Sequence, residues 1–188
     1  MPKKEKVREM FDSIAPSYDR LNHVLSLNVD KLWRRHALQE IVDGTPQRIL
    51  DVACGTGDST ISIAKAAAEG SEVIGADISA GMMALVKGKA EKAGVGGRIT
   101  LQVADGEDLP YGEGSFDRVT CAFGIRNFEH KEKGLEEFCR VLKPGGKAVV
   151  LELSVPQNRL VRWAYDLYFL HVLPGIGGAG SGDRAAYK

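Results

Sequence analysis

The sequence predicts an α/β fold, a doubly wound parallel sheet, because short apolar runs alternate with helical stretches along most of the chain. This alternation is typical of βαβ units, in which helices cover both faces of the sheet. Right-handed crossovers bring the carboxyl ends of the strands to one edge, where such sheets bind their ligands. We therefore expect the functional residues in the loops that follow the strands.

Five short apolar runs are predicted as strands. In chain order they are Arg48–Ala53, Glu72–Asp77, Ile99–Ala104, Phe116–Ala122 and Lys147–Leu153. Three segments between them have helical character, namely Thr60–Glu69, Ala80–Ala93 and Leu135–Leu142. The second helix ends before a glycine, and the sequence Lys-Pro-Gly-Gly stops the third, because these residues commonly end helices.

Further helical segments precede and follow this alternation. The N-terminal segment, from Val7 to about Asp43, begins with apolar residues at the spacing of an amphipathic helix, and Leu160–Leu173 repeats that spacing with several aromatic residues. We therefore divide the chain into a helical lid (residues 1–43), a ligand-binding α/β domain (44–155), and an aromatic helix with a Gly-rich tail (156–188).

Composition places the chain among ordinary globular proteins. A length of 188 residues fits one domain, or one domain with a small lid. The 25 basic and 25 acidic residues balance, which excludes a general nucleic-acid binder, since that would need a basic surface. The N-terminus lacks an apolar signal core, and no stretch of apolar residues is long enough to span a membrane.

The three cysteines, Cys54, Cys121 and Cys139, have no CxxC spacing. A disulfide framework and a cysteine zinc site are therefore not expected, and a reducing, cytoplasmic location fits best. The histidines show no ligand spacing with one another either, so no metal site is predicted.

The strongest chemical signal is the sequence DVACGTGD, which follows the first strand directly. Its glycines, Gly55 and Gly57, permit a tight turn and a close approach of the backbone to a ligand. The N–H groups at the start of the next helix face the same turn. Because Thr60 holds the third glycine position, this is an imperfect version of the dinucleotide-binding motif.

Carboxylates around this turn help to identify the ligand. Asp51 precedes the glycines, Asp77 ends the second strand twenty residues after Gly57, and Asp105 follows the third strand. Asp77 is well placed to accept hydrogen bonds from ribose hydroxyls. A dinucleotide pyrophosphate would be repelled by Asp51 and Asp58, whereas the amino group and sulfonium of S-adenosylmethionine would be attracted.

Several motifs carry a resemblance to a known family. DVACGTGD, GADIS, ADGEDLPY, FDRVTCAFGIRN and RVLKPGG resemble class I S-adenosylmethionine-dependent methyltransferases, which have a Rossmann-like fold. The stretches FDSIAPSYDRLNHVLSLNVDKLWR, AFGIRNFEHKEKGLEEFCRVLKPGG and HVLPGIG narrow the resemblance to the ubiquinone/menaquinone biosynthesis C-methyltransferase family. The resemblance covers nearly the whole chain. It implies S-adenosyl-L-methionine as cofactor and a reduced prenylated quinone as methyl acceptor.

The resemblance also implies the cofactor-binding positions. At the methionine end of the cofactor these are Asp51, Gly55, Gly57 and Thr60. At the adenosine end they are Asp77 on the ribose and Met82, Asp105 and Gly106 around the adenine. At Ala122 the family often has a serine, so we expect only a main-chain contact there.

Methylation of a ring carbon requires that the neighbouring hydroxyl lose its proton, so the site needs a base or a group that stabilises the phenolate. The resemblance points to Arg126 and Asn127 in FGIRN. Because a guanidinium stays protonated, we expect Arg126 to lower the pKa of the hydroquinone and Asn127 to hold a water or the second ring oxygen. Tyr18 is a further catalytic candidate, followed by Asp19 and His130.

The family's substrates carry long isoprenoid tails and reside in the bilayer. The aromatic segment Leu160–Leu173 would either pack on the sheet or a second subunit, or form a wall for the tail and touch the inner face of the membrane. These alternatives give two candidate partners besides the quinol: the membrane surface, in a peripheral contact, and a second copy of the chain, in a homodimer. The final antiparallel strands usual in class I methyltransferases are not recognised in the sequence, so we expect them to be missing from this chain.

Three alternatives remain open from the sequence. The acceptor could belong to the ubiquinone pathway or be another small molecule, and the chain could bind the cofactor without turnover. A dinucleotide oxidoreductase is the third alternative, weakened by the carboxylates beside the turn.

Overall fold

The computed structural model of the protein describes residues 3–26 and 28–154, together with Asn158 and Arg162. Five strands in this part of the chain form one sheet, in which every neighbouring pair is parallel. They are β1 (Arg48–Val52), β2 (Glu72–Asp77), β3 (Ile99–Val103), β4 (Phe116–Ala122) and β5 (Leu142–Leu151). The order across the sheet is β3-β2-β1-β4-β5, so the direction of winding reverses between β1 and β4.

Five helices accompany the sheet: α1 (Lys3–Leu25), α2 (Val29–Ile41), α3 (Asp58–Ala66), α4 (Ala80–Lys92) and α5 (Lys131–Val141). The predicted helices after the first, second and fourth strands are confirmed as α3, α4 and α5. Of the helices in the described part of the chain, none is both long and apolar enough to cross a membrane.

Apolar side chains form a core on each face of the sheet. Because side chains alternate along a strand, Leu50 and Val52 of β1 face one core and Ile49 faces the other. The first core is closed by Phe138 and Val141 of α5. The second is closed by residues of α2, α3 and α4, namely Ile41, Ile61, Ile63, Ala64 and Ala90. Helices therefore cover both faces, and the predicted doubly wound parallel sheet is confirmed.

The start of β5 differs from the prediction. The strand begins at Leu142 rather than at Lys147, and the sequence Lys-Pro-Gly-Gly lies inside it. Phe116 pairs with Leu142 and Arg118 pairs with Lys147, so four residues of β5 bulge opposite one residue of β4. The sequence Lys-Pro-Gly-Gly, which usually ends a helix or strand, here forms a bulge within β5.

Helix α5 also begins earlier than predicted, at Lys131 rather than at Leu135. Gly134, a poor helix former, concealed its first turn in the sequence. A Cβ atom at Gly134 would lie 2.4 Å from a ring carbon of Phe128, so this glycine allows the helix to approach the aromatic ring closely. Tertiary packing therefore overrides the local propensity.

The helical N-terminal segment is confirmed as two helices. Pro16 lies inside α1. Asn28 precedes α2 with a φ of 62°, in the left-handed region, which separates the second helix from the first. The division into a lid and a ligand-binding domain at residue 43 stays a prediction. Apart from Arg162, the aromatic segment lies outside the described residues, as do the Gly-rich tail and the region where the final strands are expected to be missing.

Candidate active site

The loop between β1 and α3 is a tight turn built on positive φ angles. They are 55° at Ala53, 55° at Gly55 and 83° at Gly57. The left-handed conformation of Ala53 ends β1 one residue before the predicted end. At Gly57 a Cβ atom would lie 2.6 Å from a methyl group of Val86, so conformation and space both require glycine. The turn directs the first residues of α3 towards the carboxyl edge of the sheet.

Asp51 is the most deeply buried carboxylate of this edge, with 1% of its surface exposed. Burial raises the pKa of Asp51 to about 6, although the hydrogen bond from Thr60 and the positive charge of Arg34 act in the opposite direction. The Thr60 hydroxyl donates to Asp51 Oδ2 at 2.6 Å. Thr60 is itself fully buried and lines neither of the cavities described below, so it orients Asp51.

Asp77 joins the end of β2 to the glycine turn. Its Oδ2 accepts the Gly55 N–H at 2.8 Å, and its Oδ1 accepts the Ser79 N–H at 2.8 Å. Burial raises the pKa of Asp77, and these two hydrogen bonds act in the opposite direction. Each carboxylate oxygen keeps a further lone pair that can accept a hydroxyl proton.

Two adjoining cavities lie at the carboxyl edge. The first cavity, about 70 Å³, is lined by eight of the twelve predicted site residues: Tyr18, Gly55, Asp77, Met82, Asp105, Gly106, Ala122 and Asn127. The second cavity, about 30 Å³, adds Asp51 and shares Tyr18, Gly55 and Ala122 with the first. The structure therefore brings most of the predicted residues to one place, with Gly57 and Thr60 supporting the turn from behind.

Helix α1 lies across this edge and forms the roof of the first cavity. Lys4, Val7, Phe11 and Tyr18 line that cavity from above. Polar contacts hold the helix at both ends and in the middle. Lys4 Nζ lies 2.9 Å from Asp105 Oδ2, Asp12 accepts from the Ser79 hydroxyl at 2.6 Å, and Asp19 lies 2.7 Å from Lys89 Nζ and also accepts from the Thr56 hydroxyl.

The segment after β4 carries the predicted catalytic residues. Phe123 has a φ of 62°, which is rare for an aromatic residue and marks local backbone strain. Asn127 reaches the first cavity, whereas Arg126 lies outside both cavities and is exposed. Glu152, which follows β5, accepts from Arg126 Nη1 at 3.0 Å and from the Arg126 N–H at 3.3 Å.

Several residues that line the cavities were not predicted from the sequence, and two of them, Arg34 and Phe123, contact each other. Arg34 of α2 lines the second cavity, and its guanidinium carbon lies 5.0 Å from the centre of the Phe123 ring. Their position depends on how α2 packs beside β4, which no local pattern in the sequence reports. The place of Phe123 directly after a predicted strand was the one available signal.

The structure also explains the buried cysteines. Burial raises the pKa of the Cys54 thiol well above its usual value and that of Cys121 to about 12. Both thiols therefore stay protonated at neutral pH and act as packing groups.

Taken together, the strand order, the glycine turn after β1 and the acid at the end of β2 define a Rossmann-like α/β protein with a ligand site at the topological switch point. A model of the ubiE/COQ5 methyltransferase family matches residues 1–188. The chain belongs to the ubiE/COQ5 methyltransferase family. The resemblance and the methyltransferase class predicted from the motifs are confirmed, and the oxidoreductase alternative is set aside.

Individual relatives agree with this assignment. The chain is 48% identical over 186 residues to the "Ubiquinone/menaquinone biosynthesis C-methyltransferase UbiE" of Geobacter sulfurreducens, which covers 99% of this chain and 72% of that protein. It is 44% identical to the "Demethylmenaquinone methyltransferase" of Bacteroides fragilis (99% and 76% covered) and 47% identical to that of Deinococcus radiodurans (98% and 76% covered).

Solved structures support the fold. The crystal structure of the [4+2]-cyclase SpnF superposes with a TM-score of 0.72 at 22% identity, over 84% of this chain and 63% of that chain. A putative S-adenosyl-L-methionine-dependent methyltransferase from Methanococcus maripaludis gives a TM-score of 0.65 at 18% identity, over 83% and 70%. At these identities the likeness concerns the fold alone, and it confirms the Rossmann-like class.

Proposed function

We propose that this protein transfers a methyl group from S-adenosylmethionine to a ring carbon of demethylmenaquinol, a reduced prenylated quinone. The observation that carries the proposal is that the glycine turn, its neighbouring acid Asp77 and the predicted catalytic residue Asn127 all line one cavity. Relatives named for quinone methylation at 44–48% identity support it. Menaquinone is preferred to ubiquinone as the pathway because the Bacteroides and Deinococcus relatives are named for demethylmenaquinone alone.

The charges of the site fit this cofactor. Burial raises the pKa values of both Asp51 and Asp77, so a positively charged ligand beside them would stabilise their ionised forms. Asp58 adds a third carboxylate beside the turn. When bound, S-adenosylmethionine supplies an activated methyl group on a positively charged sulfur, and its lack of phosphate suits this acidic environment.

Different residues of the first cavity would bind the ribose and the adenine of the cofactor. Asp77 would accept the ribose hydroxyls with the lone pairs that Gly55 and Ser79 leave available. Met82, which is 2% exposed, provides an apolar surface for the adenine. Asp105 and Gly106 would border the adenine from the loop after β3.

The acceptor side depends on Arg126 and Asn127. Glu152 accepts from one guanidinium nitrogen of Arg126, and the other guanidinium nitrogens have no partner among the described residues. These free donors can stabilise the phenolate form of the acceptor, which makes the neighbouring ring carbon nucleophilic. Asn127 would hold a water or the second ring oxygen, and Tyr18, which lines both cavities, would contact the acceptor from α1.

A transfer assay tests the proposal. The purified chain is incubated with methyl-deuterated S-adenosylmethionine and, in parallel, with demethylmenaquinol, the corresponding ubiquinone precursor and a simple phenol. We expect a labelled methyl group on demethylmenaquinol by mass spectrometry. Product from the ubiquinone precursor alone would reassign the pathway. If no acceptor is methylated although S-adenosylhomocysteine still binds, the proposed reaction is refuted and the chain is a cofactor-binding protein without turnover.

Peripheral contact with the inner face of the membrane and a homodimer stay predictions. Both depend on the segment Leu160–Leu173, of which the structure describes only Arg162. Co-sedimentation with liposomes, with and without that segment, measures the first, and sedimentation equilibrium measures the second.

The affinity for S-adenosylhomocysteine is expected to fall about tenfold between pH 7.5 and pH 5, because only about a tenth of Asp51 is ionised one pH unit below a pKa of about 6. The ligand's own groups do not titrate in this range. Calorimetry at a series of pH values measures the effect. Asp51→Asn should remove most of this dependence of the affinity on pH. A wild-type affinity that changes less than twofold between pH 7.5 and pH 5 would contradict the role of Asp51.

The same pKa shift affects the stability of the ligand-free protein. Because the pKa of Asp51 is raised in the folded state, its stabilising contribution is complete below about pH 4 and is lost as the pH rises through 6. The loss amounts to about 3 kcal/mol. Asp51→Asn should therefore be more stable than the wild type at pH 8 in chemical unfolding, and equally stable near pH 4.

A further inference from the structure

Arg34 occupies an unusual position for a charged residue of an N-terminal helix. It projects from α2 into the second cavity, and only 19% of its side chain is exposed. Among the described residues that line this cavity, Arg34 is the one cation, while Asp19, Asp51 and Asp58 are acids. The lining of the cavity therefore contains one positive group and three negative groups.

The guanidinium of Arg34 is held in place from three directions. Its carbon lies 5.0 Å from the centre of the Phe123 ring, and its Nη1 donates to the Ser59 hydroxyl at 2.5 Å. Its Nε lies 3.8 Å from Asp30 Oδ2, a distance at which the charges attract without a hydrogen bond. These contacts therefore fix the orientation of the Arg34 guanidinium.

The hydrogen-bonding capacity of this guanidinium is incompletely used. Its Nε is buried and has no hydrogen-bond partner. A buried donor without an acceptor is costly, and such groups in folded proteins usually face a ligand or water. An oxyanion is the acceptor that a guanidinium binds best, because its donors match the two oxygens.

The neighbouring cation is already engaged. Lys89 Nζ lies 2.5 Å from Asp58 Oδ1 and 2.7 Å from Asp19 Oδ2, so two carboxylates neutralise it. Arg34 thus remains the cation that can receive an anionic group of a ligand in the second cavity. Asp51, which also lines this cavity, can receive a cationic group.

We infer that Arg34 binds the α-carboxylate of the methionine part of the cofactor while the acids of the second cavity receive its ammonium group. This inference rests on the proposed function, because it takes S-adenosylmethionine as the ligand. It makes α2 a part of the cofactor site: a helix from the N-terminal segment recognises the amino-acid end, and the sheet recognises the adenosine end.

Two ligands that differ by one part separate this role from a structural one. S-adenosylhomocysteine carries the amino acid, whereas 5′-methylthioadenosine lacks it. Calorimetry with both ligands is performed on the wild type, Arg34→Ala and Arg34→Lys. Arg35→Ala is the matched control, because this exposed neighbour on α2 does not line the second cavity.

We expect Arg34→Ala to weaken S-adenosylhomocysteine about 10- to 100-fold, as for loss of a hydrogen bond between charged groups, and to change 5′-methylthioadenosine less than about twofold. Arg34→Lys should fall between, and Arg35→Ala should match the wild type. Thermal unfolding checks that the variants fold. If Arg34→Ala does not fold, the comparison of the two ligands is made with Arg34→Lys.

Equal weakening of both ligands would overturn the inference, because it would indicate a structural role for Arg34. Unchanged binding of S-adenosylhomocysteine to a folded Arg34 variant would also overturn it, with the proposed function untouched. Absence of S-adenosylhomocysteine binding to the wild-type chain would instead overturn the proposed function and this inference with it. Binding without methylation of any quinol would leave the inference standing and refute the proposed reaction.

Discussion

Arg126→Ala is expected to lower the rate of methyl transfer about 100- to 1,000-fold while the affinity for S-adenosylhomocysteine stays within about twofold of the wild type. The guanidinium lies outside both cavities, so its loss leaves the cofactor contacts intact. It removes the positive charge that we assign to the phenolate of the acceptor. Single-turnover methylation of demethylmenaquinol and calorimetry with S-adenosylhomocysteine measure the two quantities.

Two further variants sharpen this experiment. Glu152→Gln keeps an acceptor near Arg126 but removes the ion pair with its Nη1, so a smaller loss of rate and a shifted pH profile are expected. Lys147→Ala removes an exposed cation of β5 that pairs with Glu40, and serves as the control for a change of charge away from the site. Turnover by Arg126→Ala equal to that of the wild type would refute the assigned role.

Asp77→Ala should weaken S-adenosylhomocysteine by about 3 kcal/mol, which corresponds to a factor of roughly 100. The substitution removes the acceptor of the ribose hydroxyls. It also releases the N–H groups of Gly55 and Ser79, which the carboxylate holds at 2.8 Å, so the glycine turn loses its anchor to β2. Calorimetry at pH 7.5 measures the affinity.

Asp77→Asn separates the two contributions, because the amide keeps one acceptor oxygen and the size of the side chain. It should therefore bind more tightly than Asp77→Ala and more weakly than the wild type. Asp108→Ala is the control, since this exposed acid lies near the same edge without lining either cavity. Unchanged affinity in a folded Asp77→Ala protein would rule out the ribose contact.

The strands were predictable because each contains a short apolar run, and the central strands β1, β2 and β4 are largely buried between two layers of helices. β2 and β4 have the predicted bounds. The start of β5 was predicted wrongly, because Pro144 and Gly145 suggest a break, whereas the pairing with β4 continues on both sides of a bulge. Local sequence indicates the conformational propensity of single residues, whereas the register between two strands depends on both strands and cannot be read from one of them.

The candidate site was predictable where it lies on loops that follow strands, as for Gly55, Asp77 and Asp105. The contribution of the N-terminal helices was predicted in part. Tyr18 was named as a candidate in the N-terminal segment, but Arg34 was missed because its position depends on packing between α2 and the turn at Phe123. A contact between residues 89 positions apart in the chain leaves no periodic signal in either segment.

The position of α1 has a consequence for the order of events during turnover. A cofactor pocket usually encloses 300 Å³ or more, whereas the two cavities beneath this helix are far smaller. We therefore expect α1 to move away from this edge before a cofactor enters, which would break the contacts of Lys4, Asp12 and Asp19.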